Sequence, residues 1–158
     1  MDASPILVAF DGSPQAQEAI HRAVALFPQR RLVIVSVWEP GLALGMAGAR
    51  DLTGGGYVPP SPAEVQAIDR VEREHADDAA AAGARLAQQL GATAEAYPVA
   101  DEADVALTVA AIADEVGAAA IVVGSRGLGG VKSRLFGSTS RALLQRTDRP
   151  VLVVKSPA

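Results

Sequence analysis

With 158 residues, 49 % of them apolar and 20 % charged, and a net charge of −4, the chain has the composition of one globular domain with a sizeable core, which excludes a disordered protein and argues against a general nucleic-acid-binding surface. The lack of cysteine excludes disulfides, thiolate metal sites and cysteine nucleophiles. No apolar run reaches the roughly 18 to 20 residues of a membrane span and the opening MDASPILVAF has no basic region of a secretion signal, so cytoplasm is the expected setting.

Ile6–Phe10 is a continuous apolar run, as expected of a parallel strand covered on both faces. Asp11-Gly12-Ser13-Pro14 stops it, with Ser13 suited to an N-cap and Pro14 to the first helical position. Ile20, Ala23, Val24 and Phe27 then follow at helical spacing. Leu32–Trp38 is a second strand. The stretch from about 39 to 60 is rich in glycine and proline without clear periodicity, and is read as partly disordered or as a lid or partner contact. Ser61-Pro62-Ala63-Glu64 is a capping box with proline at the first helical position, opening a long helix through Ile68, Val71, Ala79, Ala82 and Leu86 that stops at Gly91.

Thr93–Val99 alternates weakly and contains Pro98, which removes a ladder donor and places the strand at a sheet edge. Asp101 is the expected cap of the next helix, whose face is Val105, Thr108, Val109, Ile112 and Val116, with Gly117 ending it. A fourth strand, Ala118 to Val123, a glycine-rich loop, a helix from about Ser138 to Arg146 and a last strand, Val151–Val154, complete the order. Strands alternating with helices predict a doubly wound α/β fold: a five-stranded parallel sheet, order 3-2-1-4-5, with helices on both faces, Rossmann-like. That order reverses between the first and fourth strands, so Asp11 and Gly124, which leave those strands, converge on one crevice.

The loop after the fourth strand, within Ile121–Thr139, combines glycines, basic residues and a hydroxyl cluster at a helix start, the features of a phosphate site. Two familiar phosphate loops do not fit. GxxxxGK[ST] fails because Val131 precedes Lys132-Ser133, and GxGxxG fails because Lys132 stands where the third glycine belongs. The pattern present is Gly124-x2-Gly127-x9-Gly137-Ser138. The same glycines would also serve a tight strand-to-helix turn, and on spacing alone both readings stand.

That pattern, with the opening Ile6-Leu7-Val8-Ala9-Phe10-Asp11-Gly12-Ser13 and the closing Arg149-Pro150-Val151-Leu152-Val153-Val154-Lys155, resembles the universal stress proteins, in their nucleotide-binding branch, over nearly the whole chain. The resemblance implies ATP, with Mg²⁺ bridging phosphates, held by the backbone at Gly124, Gly127 and Gly137 and by the Ser138 hydroxyl. It also implies that Asp11 contacts the nucleoside and that the Val37 backbone contacts adenine. Thr139 would offer its hydroxyl or only cap the helix. Arg126, Lys132 and Arg134 would add charge or be merely solvated, and Gly129 and Gly130 would give flexibility. Family members commonly dimerise through the last strand, so a homodimer through Val151–Val154 is expected, which would also cover an apolar sheet edge.

His21 and His75 read as surface or interface histidines, with no third ligand at metal spacing, and Trp38 reads as packing rather than base stacking. No GxSxG or other triad motif is present, and no residue is nominated to position a water for phosphoryl transfer. The expectation is therefore an ATP-binding regulatory or stress-survival factor, with at most weak hydrolysis. The alternative is a dimeric protein-interaction module that binds no nucleotide. An enzyme of the wider adenine-nucleotide-handling type would want a catalytic group or a second substrate domain.

Overall fold

The computed structural model describes residues 4–41, 59–101, 104–125 and 138–155. Its strands are β1 (Ile6–Ala9), β2 (Leu32–Trp38), β3 (Ala94–Ala100), β4 (Ala120–Gly124) and β5 (Val151–Val154), and its helices are α1 (Pro14–Leu26), α2 (Pro62–Gln89), α3 (Val105–Glu115) and α4 (Ser138–Arg146). The strands form one parallel sheet in the expected order, β3-β2-β1-β4-β5.

Alternation along the inner strands builds two cores. Ile6, Val8, Phe10, Leu32 and Ile34 pack under Ala16, Ala19, Ile20 and Ala23 of α1 and Ala84 and Ala87 of α2. Leu7, Ala9, Val33 and Val35 face the other way, against Val109, Ala110 and Ala113 of α3 and Leu143 of α4. Both faces of β1 are covered, which is why its sequence is apolar throughout rather than alternating. The small alanines on the helices let them lie close to β-branched strand side chains.

The caps follow the sequence in two helices. Ser13 Oγ accepts from Ala16 N at 3.1 Å, with Pro14 opening α1. Ser61 and Glu64 form the reciprocal capping box of α2. In α3 the expectation is corrected: the N-cap is Asp104, whose Oδ1 accepts from Ala106 N at 2.8 Å and Leu107 N at 3.1 Å. Asp101 cannot serve, because its amide continues the β3 ladder to Trp38 O and its Oδ1 takes the Thr108 hydroxyl instead.

In α2 the buried face is confined to the second half of the helix. Its buried residues are Ala76, Ala80, Gly83, Ala84 and Ala87, whereas Ile68 and Val71 are 38 % and 60 % exposed and Ala82 is also exposed. Length explains the difference. The helix has 28 residues, about 42 Å at 1.5 Å per residue, while the seven residues of β2 span about 23 Å. Since α2 starts from the carboxyl edge of the sheet and runs back along it, its first turns project past that edge.

The first strand ends at Ala9 rather than Phe10, and β3 is shifted by one residue from the expected Thr93–Val99. Pro98 does lie on an edge strand, opposite Ser36. Most of the 39–60 segment falls outside the described residues; Gly41 lies within them, its N–H donating to Asp69 Oδ1 at 2.8 Å. Among the described residues no helix is long and apolar enough to cross a membrane.

Candidate functional site

A crevice opens at the carboxyl ends of the strands, where β1 stops and the chain turns into α1. Ala9 pairs with Val35, and the Phe10 N–H still donates to Val35 O at 2.8 Å, but Asp11 then leaves the sheet. Gly12 takes φ of +81°, a conformation that a side chain would strain. The turn is fixed by Asp11 Oδ1, which accepts from Ser13 N at 3.0 Å, so the aspartate has a structural task as well as a place in the pocket wall.

The exposed end of β2 gives the crevice its second side. Odd-numbered peptides of β2 face β1, as the Val35 carbonyl does in taking Phe10 N; even-numbered ones face β3, where Leu32 N donates to Thr93 O and Trp38 O accepts from Asp101 N. By that alternation the Val37 N–H and C=O point toward β1 at a level that β1 no longer reaches. The Val37 side chain packs on the opposite face against the second core, so its peptide is what it presents to the crevice.

The projecting part of α2 forms the third side. Glu72 and His75 line the pocket above a floor of Ala76 and Ala79, with Ser36 and Trp38 below on β2. Ser36 is only 4 % exposed. Glu72, Ser36, Trp38 and His75 were not among the expected site residues; His75 reads as surface and Trp38 as packing in the sequence. The signals that would have found them are the helical steps from Glu72 through Ala76 to Ala79, in line with the buried stripe, and a lone serine in the apolar run of β2.

Gly124 ends β4 across the crevice. A Cβ there would stand 3.0 Å from the Gln15 carbonyl carbon and 3.1 Å from the Gln15 Cβ and O. Close approach of β4 to the first turn of α1 thus favours a glycine independently of any ligand, since a Cβ would have to displace the Gln15 backbone by a few tenths of an ångström. Next along the chain Ser125 is buried, and its N–H donates to Val154 O at 2.7 Å. Ser138 is the first residue of α4, and Thr139, in the same turn, is buried. Arg126, Gly127, Lys132, Arg134 and Gly137 lie outside the described residues. The structure therefore brings together Asp11, Val37 and Gly124 around one switch point.

Two groups with displaced titration lie away from the crevice. The Glu64 carboxyl is held below its ordinary range by the Ser61 backbone N–H and then by the Ser61 hydroxyl. The Tyr97 phenol is raised, chiefly by its hydrogen bond to Glu115. Among the described residues no group of three or more His, Cys, Asp or Glu side chains is disposed to hold a metal ion.

A parallel sheet with this strand order and a crevice at its reversal point defines a Rossmann-like α/β protein. Within that class the chain is matched over residues 3–155 by the family model for the universal stress protein family. Universal stress protein YxiE of Bacillus subtilis is 31 % identical over 155 residues, 95 % of this chain and 97 % of that one. Among solved structures, universal stress protein UspA from Lactobacillus plantarum superposes with a TM-score of 0.73 at 20 % identity, covering 98 % of this chain and 99 % of that one. The universal stress protein from Archaeoglobus fulgidus, solved in complex with dAMP, gives 0.64 at 23 % identity, covering 98 % and 100 %. The chain belongs to the universal stress protein family.

Proposed function

We propose that the protein binds an adenine nucleotide in the crevice at the β1/β4 switch point, with ATP and Mg²⁺ as its ligand, and acts through that binding as a regulatory or stress-survival factor. The observation that carries the reading is the Val37 peptide turned toward the space beyond the end of β1. A neighbouring N–H and C=O on one edge match the ring nitrogen acceptor and amino donor of adenine. The dAMP complex of the Archaeoglobus fulgidus relative supports the same ligand class.

In this reading Asp11, beside the Val37 peptide, contacts the nucleoside. The phosphates run the other way, toward Gly124, Gly127, Gly137 and the Ser138 and Thr139 hydroxyls at the start of α4, with Arg126 adding positive charge. Electrostatics favour that direction, since Glu72 on the α2 side repels phosphate whereas a helix N-terminus attracts it. Mg²⁺ would bridge phosphate oxygens and keep several waters, as it does in nucleotide sites. The reading is one of binding, with no residue assigned to activate a water. A homodimer through β5 belongs to it, supported by the half-buried Val151, Leu152 and Val153 on an edge strand.

The test is a thermal-shift series on nucleotide-stripped protein with ATP, ADP, AMP and GTP, each with and without Mg²⁺. A ligand at about 100 times its dissociation constant adds about 2.7 kcal/mol, which raises Tm by several degrees in a domain of this size. ATP with Mg²⁺ is expected to give the largest rise. No shift with any nucleotide, in protein shown to be folded, would leave the interaction module as the better reading. Light scattering on the same sample is expected to give the dimer mass; a monomer at micromolar concentration would remove that part.

A further inference from the structure

The α2 wall of the pocket carries an acceptor to which the reading above gives no hydrogen bond. Glu72 is half-buried and lines the crevice, and among the described residues no hydrogen bond or ion pair takes its carboxylate. The Ser36 hydroxyl beneath it is 4 % exposed and equally without a partner among the described residues. Buried polar groups are normally satisfied, so the unanswered Ser36 hydroxyl points to a ligand in this pocket, and Glu72, half-buried in the same lining, is placed to meet it.

The chemistry of that ligand follows from the donor and acceptor count. An ionised carboxylate only accepts, and the Val37 carbonyl, turned toward the same space, also only accepts. An amino group on a heteroaromatic ring offers two coplanar N–H donors and needs two acceptors. A ring oxygen in the same place would set lone pairs against a carboxylate.

We propose that Glu72 is a specificity-determining residue that accepts a hydrogen bond from the exocyclic amino group of the bound base, sharing that group with the Val37 carbonyl. The proposal rests on the nucleotide reading of the crevice. It makes the α2 wall a selector for amino-bearing bases, in addition to the Val37 backbone contact.

Calorimetric titration of the full chain with AMP and with purine riboside 5′-monophosphate, which lacks only the amino group, tests it. The Val37 contribution is the same in every variant, so comparing the AMP preference between wild type and Glu72→Ala isolates Glu72. The expected preference is about tenfold in wild type, falling by a factor of about three or more in Glu72→Ala and by less in Glu72→Gln, whose carbonyl still accepts. Both replacements are good helix formers, and circular dichroism confirms folding. A smaller fall in Glu72→Ala overturns the proposal while leaving nucleotide binding intact. Binding of neither nucleotide to wild type overturns this inference, and it overturns the nucleotide reading as well where ATP with Mg²⁺ also fails to stabilise the folded protein.

Discussion

Gly83 and Gly124 each let two elements approach where a Cβ would crowd its neighbours, one on either side of the crevice. At Gly83, α2 lies on the sheet so closely that a Cβ would stand 2.7 Å from Ile34 Cγ2 and 3.0 Å from Phe10 Cδ1. At Gly124, β4 meets the backbone of Gln15 in the first turn of α1. One glycine belongs to a recognisable ligand pattern; the other is hidden in an alanine-rich helix. The difference teaches that a glycine in a phosphate-type pattern can also be favoured by packing, and that one outside any pattern can be held by packing more strictly.

The largest effect is expected at Gly83. Ile34 and Phe10 are 0 % and 3 % exposed, and neither a β-branch methyl nor a ring edge can swing away, so Gly83→Val should lose about 2 to 3 kcal/mol of stability in urea unfolding. A loss under about 0.5 kcal/mol would mean that α2 slides freely on the sheet, and the comparison would break there. Gly124→Ala comes next. Its Cβ meets backbone rather than a side-chain tip, so α1 must shift at the turn that carries Asp11, Gly12 and Ser13. About 1 kcal/mol of stability and a clear part of nucleotide affinity should be lost together. Lost affinity with unchanged stability would return Gly124 to a purely ligand-facing role and make the two glycines less alike than the packing implies.

Much of this wall was legible in advance, and the failures have physical causes. Strand order followed from Pro98 and the alternation of elements, because a missing ladder donor is a local fact with a topological consequence. Asp11, Val37 and Gly124 converge because the reversal of strand order forces them to, although they lie far apart in the chain. Ile68 and Val71 keep helical spacing yet are exposed, since periodicity does not reveal that the helix outruns its strands. Asp101 and Asp104 are both acids before the same helix, and only the length of β3 decides which of them caps it. Ser36 and Glu72 were invisible for a related reason: a pocket between a strand end and an overhanging helix is a property of two lengths, not of a motif.

The overhang also sets the smallest effect and the last way to sharpen the comparison. Around Gly83 the helix is held by packing, whereas Ile68 and Val71 are exposed nearer its start, so the first turns of α2 depend more on their cap. Ser61→Ala should cost about 1 kcal/mol, the usual worth of an N-cap, and should show as lower helical circular dichroism with the sheet cores intact. Glu64 adds a pH dependence of defined sign. Because the Ser61 N–H and hydroxyl hold its carboxyl below the ordinary range, its contribution is fully present above the ordinary glutamate value and is lost as pH falls through the lowered one. Glu64→Gln should flatten that part of the acid profile while Gly83→Val leaves its shape unchanged and only lowers it. If instead Glu64→Gln left the profile unaltered, the ionisation of Glu64 would not be linked to folding, and the start of α2 would depend on its cap only through bonds that a glutamine makes equally well.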